Sequence, residues 1–302
     1  MHGELAAFVN TAVVPIGLMA IMFSMGLSLS VQDFRQVVAN PRAVFGGLGG
    51  QILVLPALAL GVALVFRLPQ DMAIGLFILA ICPGGVTSNA ITYAARANVA
   101  LAVVLTAASS VITVFTIPVL LDWALGHFSL TGEVPELSIP RTMLTLTTVT
   151  VLPIAAGMTI RLWRCDLADR WTVSLRPASL VVLITVIAFS VFVSAELVWE
   201  NLLRAGPAAY TLNVLSVGVG LAIAFLLRLD RRDSLTVGIE VGIHNATMAT
   251  FLSLSVLNDL ALAITPTIYG CIMVTNAMLL VRLMRRTGTA ELGAAAKDSS
   301  RA

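Results

Sequence analysis

The sequence predicts an all-α polytopic membrane protein. Apolar residues make up 58% of the 302-residue chain, whereas charged residues make up only 11%. An ordinary soluble domain carries about 25% charged residues, so this chain cannot cover a water-facing surface of its size. Stretches of about 20 apolar residues, enough for a helix to cross a bilayer, recur along the whole sequence. The net charge of +2, without a dense basic patch, gives no indication of nucleic-acid binding.

Charged and turn-forming residues divide the chain into nine predicted transmembrane helices. The loops between them are too short for an inserted soluble domain. We therefore predict a single transmembrane transporter domain over residues 1–285 and a disordered cytoplasmic tail over 286–302. The predicted spans are 6–29, 43–66, 70–96, 98–125, 141–160, 177–198, 205–228, 233–258 and 260–281.

The distribution of basic residues predicts the orientation of these spans. If the loops alternate between the two sides, 15 of the 18 Lys and Arg residues fall on one side. Cytoplasmic loops carry such an excess. The sequence thus predicts a multi-pass protein of the cell membrane with its N-terminus outside and its C-terminus in the cytoplasm.

Two of the predicted spans contain polar or helix-breaking residues at their middle. In the third span, Cys-Pro-Gly-Gly at 82–85 precedes Thr-Ser-Asn at 87–89. Proline and glycine both disfavour a continuous helix there. In the eighth span the interruption is Glu-Val-Gly-Ile-His-Asn at 240–245, which has no proline. Each is the third span of a four-span set, 1–4 or 6–9, and the odd offset predicts an inverted repeat. Paired interruptions of this kind indicate the binding site of a transporter.

Glu240 is the one acidic residue that the sequence places well inside a span. A charged side chain at a helix centre costs about 2.5–3.5 kcal/mol on insertion scales. No Lys or Arg is predicted at mid-span to neutralise it, which leaves a bound cation, a proton, or a neutral hydrogen-bonded role. His244 follows four residues later. It is either a hydrogen-bonded structural residue or a proton-linked switch, because imidazole titrates near neutral pH.

Other polar residues of the interrupted spans and their neighbours supply oxygen donors. Carbonyl and hydroxyl oxygens suit a small, hard cation, although a single Ser or Thr in a membrane helix is often an interhelical hydrogen bond. The start of the half-helix after the first interruption presents free backbone N–H groups, which favour an anion such as a substrate carboxylate. The candidate oxygen donors are Gln51, Ser88, Asn89, Thr106 and Asn245.

Several of these motifs together resemble the bile acid:sodium symporter family. The resemblance covers nearly the whole chain, and the CPGG-x-x-SN and E-x-G-x-x-N stretches form a specific pair. The residues that carry it are Met25-Gly26-Leu27, Asp33-Phe34, Pro41, Gln51 with Pro56, Cys82 to Asn89, Asn98 to Leu101, Thr106, and Glu240 to Gly242 with Asn245.

The resemblance implies a core domain and a panel domain, with two broken helices that cross near the membrane centre beside two sodium ions. It implies a first sodium held by Ser88, Asn89, Thr106 and Glu240, with Ala102 where the family usually has a serine. It implies a second sodium held by Gln51, Glu240 and the backbone carbonyls of Val241 and Ile243. His244 stands at the family's glutamine position and is the remaining candidate ligand of this second site, although imidazole is a poor ligand for a hard cation. For the substrate, the resemblance implies Val86, Thr87 and Asn245.

The sequence therefore predicts a secondary transporter that takes up a carboxylate-bearing organic anion together with one or two sodium ions. Proton coupling through His244 or Glu240 is one alternative. An arsenite-type metalloid exporter of related fold is another, because Cys82 precedes the first interruption and Glu240 lies in the membrane. An intramembrane enzyme is disfavoured, since no second histidine lies in a span and the sequence has no H-E-x-x-H or G-x-S-x-G motif. The substrate's identity and the oligomeric state are left open.

Overall fold

The computed structural model describes residues 9–128, 137–193, 195–277, 279 and 282. Throughout these residues the chain is helical, with one isolated backbone bridge and no β-strand. Five of the helices are long and apolar enough to cross a membrane, which confirms a polytopic, all-helical membrane protein. The count of nine spans and the inverted repeat stay predictions. The predicted tail at 286–302 lies outside the described residues.

The helices follow the predicted order. Short turns at 66–69, 82–85, 95–98, 227–230 and 243–245 separate some of them, and π-helical turns join others. The elements are α1 (Val14–Ser28), α2 (Arg35–Ala39), α3 (Pro41–Gly49), α4 (Leu55–Val65), α5 (Gln70–Ile81), α6 (Val86–Ala94), α7 (Val99–Phe128), α8 (Ile139–Leu146), α9 (Leu152–Trp163), α10 (Cys165–Val193), α11 (Ala195–Leu226), α12 (Arg231–Gly242), α13 (Ala246–Phe251) and α14 (Ala261–Ala277).

Two predicted boundaries were wrong. The sixth span was predicted to begin at 177 and the seventh at 205, but α10 begins at Cys165 and α11 at Ala195. Pro177 and Pro207 lie inside these helices rather than at their starts. Membrane helices tolerate interior proline because neighbouring groups satisfy the freed backbone. The charged residues before each proline therefore form helical turns, where the sequence predicted loops.

Three π-helical turns each precede a proline. The turns Val9–Val13, Gly50–Val54 and Thr147–Val151 end two residues before Pro15, Pro56 and Pro153. Proline removes a backbone donor and its ring presses on the preceding turn, which widens the helix locally. The second of these turns contains Gln51, so Pro56 shapes the backbone at a predicted site residue.

Glycine residues allow the closest helix contacts. A Cβ atom at Gly26 of α1 would lie 2.2 Å from the carbonyl oxygen of Ile154 in α9. A Cβ at Gly242 of α12 would lie 2.2 Å from Val217 Cγ2 in α11. Two packed groups result. One consists of α1, α9 and α10, here called the three-helix group, and the other is built around α11 and α12 with α3, α4, α5 and α7.

Candidate functional site

The two predicted interruptions meet in the structure. The first separates α5 from α6 at Cys82–Gly85, and the second separates α12 from α13 at Ile243–Asn245. Gly84 and His244 form an antiparallel backbone bridge, and the Asn245 N–H donates to the Pro83 carbonyl at 3.0 Å. Both broken helices are therefore confirmed, and their extended segments lie side by side.

The second break forms without a proline. Ile243 ends α12 in an extended conformation, with φ −115° and ψ 107°. Asn245 then caps α13, since its side-chain oxygen accepts from the Met248 N–H at 3.0 Å. This N-cap bond satisfies one of the free donors of the new helix. A capping residue thus starts the second half-helix here, whereas proline and glycine end the first half-helix at the other break.

Three buried polar side chains converge on Gly84. A Cβ atom at this position would lie 2.8 Å from Glu240 Oε2, 3.6 Å from Gln51 Nε2 and 3.7 Å from Thr106 Oγ1. The space between these groups exists because residue 84 has no side chain. We call these four residues the Gly84 cluster. Gly84 lies between α5 and α6, Glu240 on α12, Gln51 in the π turn before α4, and Thr106 on α7. The structure thus brings together residues that are up to 189 positions apart in the chain.

One oxygen of the Glu240 carboxyl group is left without a partner. The Thr106 hydroxyl donates to Glu240 Oε2 at 2.8 Å, while Glu240 Oε1 is buried with no hydrogen bond in the described part of the chain. No ion pair to Glu240 occurs among the described residues either. An unsatisfied buried carboxylate oxygen is costly, so it indicates a missing ligand such as a cation or a proton.

Further oxygen donors lie on α6, beside the same cluster. Ser88 is fully buried next to the Glu240 carboxylate, and it donates its one hydroxyl proton to the Gly85 carbonyl at 2.6 Å. This bond leaves the lone pairs of Ser88 Oγ available to a cation. Asn89 Oδ1 is buried, and no described residue forms a hydrogen bond with it. The oxygen atoms offered here are those that a hard cation prefers.

His244 lies against an aromatic ring. Its imidazole is buried, with its centroid 5.8 Å from that of Tyr269, and neither ring nitrogen has a hydrogen-bond partner within the described residues. The other two residues predicted around the second sodium, Val241 and Ile243, lie at the end of α12. The last carbonyls of a helix have no partner within it, so backbone oxygens are present at this end.

The residues predicted for the substrate lie at the starts of the second half-helices. Val86 and Thr87 begin α6 and are half-buried, so this end of α6 is accessible, unlike the Gly84 cluster. Gly85 is the N-cap of α6 and provides no side-chain cap for its first N–H groups. Asn245 is buried, and its Nδ2 donor has no partner in the part of the chain described.

A polar network that was not predicted from the sequence holds the second break. Asn213 of α11 and Tyr269 of α14 both donate to the Gly242 carbonyl, each at 3.0 Å. Asn276 donates to Asn213 Oδ1 at 2.9 Å. The signal that could have revealed it is the position of Asn213, a polar amide well inside the predicted span 205–228.

A model of the sodium bile acid symporter family matches residues 15–201. The chain belongs to this family. The family is one of sodium symporters, and together with the long apolar helices it supports a multi-pass membrane protein.

Similar proteins from three kingdoms have related names. The chain is 28% identical to the uncharacterized sodium-dependent transporter YocS of Bacillus subtilis, over 77% of this chain and 71% of that protein. It is 29% identical to the probable sodium/metabolite cotransporter BASS1 of Arabidopsis thaliana, a chloroplast protein, over 79% of this chain but 58% of that protein. It is 25% identical to the human sodium-dependent organic anion transporter, over 93% of this chain and 74% of that protein.

Proposed function

We propose that this protein takes up an organic anion, one that carries a carboxylate, in symport with sodium and by alternating access. The observation that carries the proposal is Glu240 Oε1, which is buried where the two breaks meet and has no hydrogen-bond partner among the residues that the structure describes. A buried negative charge without a basic neighbour needs a cation, and the oxygen atoms around it suit sodium. The relatives named above, described as sodium-dependent, support the same coupling ion.

In this proposal the cation binds within the Gly84 cluster and its neighbours. Glu240, Thr106, Ser88 and Asn89 hold one sodium through carboxylate, hydroxyl and amide oxygens. A second sodium, where it binds, takes Gln51, Glu240 and the carbonyls of Val241 and Ile243. We place His244 beside this second site rather than in it, because its ring lies against Tyr269 and a hard cation prefers oxygen.

The anion binds at the start of α6 in this proposal. The half-buried residues Val86 and Thr87 begin α6, whose N-cap provides no side-chain hydrogen bond, and Asn245 Nδ2 adds a donor that has no partner among the described residues. These donors and the helix dipole favour a carboxylate. A sodium ion nearby offsets the negative charge of the substrate. Each ligand therefore strengthens binding of the other by the same factor.

A sodium titration of the purified protein tests the proposal without knowledge of the substrate. Melting temperature is measured as sodium chloride replaces choline chloride at constant ionic strength, first alone and then with a panel of carboxylates. We expect a saturable rise in the wild type, because a ligand that binds only the folded protein stabilises it. Compounds that raise the melting temperature further in the presence of sodium are then tested for uptake in proteoliposomes.

Variants at two glutamates make the test specific. Glu240→Gln keeps the size of the side chain but removes its charge, and we expect it to abolish the sodium-dependent rise. Glu200→Gln, at an exposed position of α11, is the matched control and should titrate like the wild type. A sodium response that survives in Glu240→Gln contradicts the proposal.

Proton coupling is the second candidate function. The observation that favours it is His244, which is buried at the crossing with both ring nitrogens unpaired in the described part of the chain. The arsenite-type alternative has no comparable support. Cys82 is fully buried among apolar side chains of the core, where it offers no open ligand position.

We also propose the orientation in the cell membrane that the basic residues predict, with the N-terminus outside and the C-terminus in the cytoplasm. The excess of Lys and Arg on one side supports it. A cysteine introduced at Arg67, in the turn after α4, should react with an impermeant thiol reagent from outside. One at Arg96, in the turn after α6, should react only after permeabilisation.

A further inference from the structure

The carbonyl of Gly242 is held by side chains from two other helices. Gly242 is the last residue of α12, so its carbonyl has no partner within the helix. Asn213 Nδ2 of α11 and Tyr269 Oη of α14 both donate to it at 3.0 Å. Asn213 Nδ2 also donates to Tyr269 Oη at 3.0 Å. We name the three side chains Asn213, Tyr269 and Asn276 the Gly242 clamp.

Every donor of the two buried side chains is used in this arrangement. Asn276 donates to Asn213 Oδ1 at 2.9 Å, which fixes which side of the Asn213 amide faces the Gly242 carbonyl. The two Asn213 N–H donors then have two acceptors, and the Tyr269 hydroxyl accepts one bond and donates one. Asn213 and Tyr269 are buried. Fully satisfied buried networks are rigid and hold one geometry.

The packing of α12 on α11 leaves this carbonyl little room to move. A Cβ at Gly242 would lie 2.2 Å from Val217 Cγ2 and 3.0 Å from the Val217 backbone nitrogen. Asn213 lies on α11, one helical turn before Val217, the residue against which Gly242 packs. The clamp and the glycine contact therefore fix the same peptide group from neighbouring directions.

This peptide group lies between the two carbonyls that we propose as sodium ligands. Ile243, the next residue, is extended, and carbonyls on either side of an extended residue point in opposite directions. A Gly242 carbonyl held towards α11 and α14 turns the Ile243 carbonyl away from them, towards the paired segment at Gly84. Rotation of the Gly242 peptide changes ψ of Gly242 and φ of Ile243, which set its orientation relative to the Val241 and Ile243 carbonyls.

We propose that Asn213 and Tyr269 are positioning residues for the cation site. They touch neither the cation nor the substrate, and they act by holding the backbone between Val241 and Ile243 in a geometry that binds sodium. This inference rests on the proposed function, because it assigns the two residues to the same coupling ion.

The test compares the sodium titration of melting temperature in clamp variants and in a matched control. Tyr269→Phe removes the hydroxyl and keeps the ring, and Asn213→Ala removes both donors. We expect the half-saturating sodium concentration to rise about threefold to tenfold in Tyr269→Phe, as for the loss of one orienting hydrogen bond. Tyr210→Phe, at a half-exposed tyrosine of α11, should leave the half-saturating sodium concentration unchanged.

Readouts separate positioning from a structural role alone. A structural role lowers the melting temperature without sodium but leaves half-saturation at the wild-type value, and that result overturns the inference. The double variant should shift half-saturation by less than the product of the two single shifts, because both residues act on one carbonyl. The absence of a saturable sodium response in the wild type overturns the proposed function together with the inference. An unchanged half-saturation in Tyr269→Phe and Asn213→Ala, in a sodium-responsive wild type, overturns the inference alone.

Discussion

Gly84→Ala places a methyl group inside the proposed cation site. The added Cβ would lie 2.8 Å from Glu240 Oε2, whereas ordinary contact begins near 3.4 Å. The carboxylate would have to retreat by about 0.6 Å, which exceeds the deviation of about 0.2 Å that ion–ligand distances tolerate. We expect the half-saturating sodium concentration to rise at least about tenfold, equivalent to about 1.4 kcal/mol.

The neighbouring glycine supplies the control. At Gly85 the nearest atom to an added Cβ is Asn245 Cα at 3.5 Å, which is ordinary contact, and its φ of −104° suits any residue. Gly85→Ala should therefore keep a sodium response close to that of the wild type. The assay is the sodium titration in choline replacement, with size-exclusion chromatography to show that each variant is folded. Wild-type half-saturation in Gly84→Ala would refute the location of the cation.

Three further predictions concern single side chains near the crossing. Thr106→Val removes the hydroxyl that donates to Glu240 Oε2 at 2.8 Å and should raise half-saturating sodium about tenfold, whereas Thr113→Val on the same helix should not. The proton-coupled alternative predicts that uptake in sodium-free buffer rises as the pH falls in the wild type, and that uptake by His244→Gln does not vary with pH. Sodium-dependent wild-type uptake that does not vary with pH rejects this alternative. Cys82→Ser should leave transport intact, and loss of transport in a folded Cys82→Ser protein would revive the metalloid alternative.

The sequence predicted the two breaks because their residues have strong local preferences. Proline at 83 followed directly by two glycines disfavours a continuous helix, and a carboxylate at mid-span is conspicuous in a chain with so few charges. Gln51 and Thr106 were predicted from the residues as candidate oxygen donors, but only the family resemblance assigned them to sites shared with Glu240. These contacts join distant parts of the chain, so local preferences do not reveal them.

The predictions that failed or were missing depend on the surroundings of a residue. Proline at 177 and 207 normally indicates a helix start, but in the membrane the helices continue through both. The π turn that contains Gln51 ends two residues before Pro56, and this local widening of the helix was not predicted from the sequence. Asn213 is polar in sequence, but its role follows only from the carbonyl that it meets.

The location of the site residues suggests how access could alternate without disruption of the cation site. Gln51, Thr106 and Glu240 lie in helical turns that pack around α11 and α12, and Gly84 lies in the break between α5 and α6. The three-helix group of α1, α9 and α10 contributes none of them. Movement between the two groups would expose the crossing to either side while its ligands keep their geometry.

Separate groups imply separate effects of mutation. Gly26→Ala, at the contact of α1 with α9, would force a Cβ to within 2.2 Å of the Ile154 carbonyl oxygen. Overpacking of this kind costs about 1–3 kcal/mol, so we expect a lower melting temperature without sodium. Gly218→Ala, with nothing within 4 Å of its added Cβ, is the matched control and should not destabilise the protein. Half-saturating sodium should stay at the wild-type value in Gly26→Ala, because the cation ligands lie in the other group. A large change in sodium affinity in Gly26→Ala would show that the two groups do not act as separate bodies.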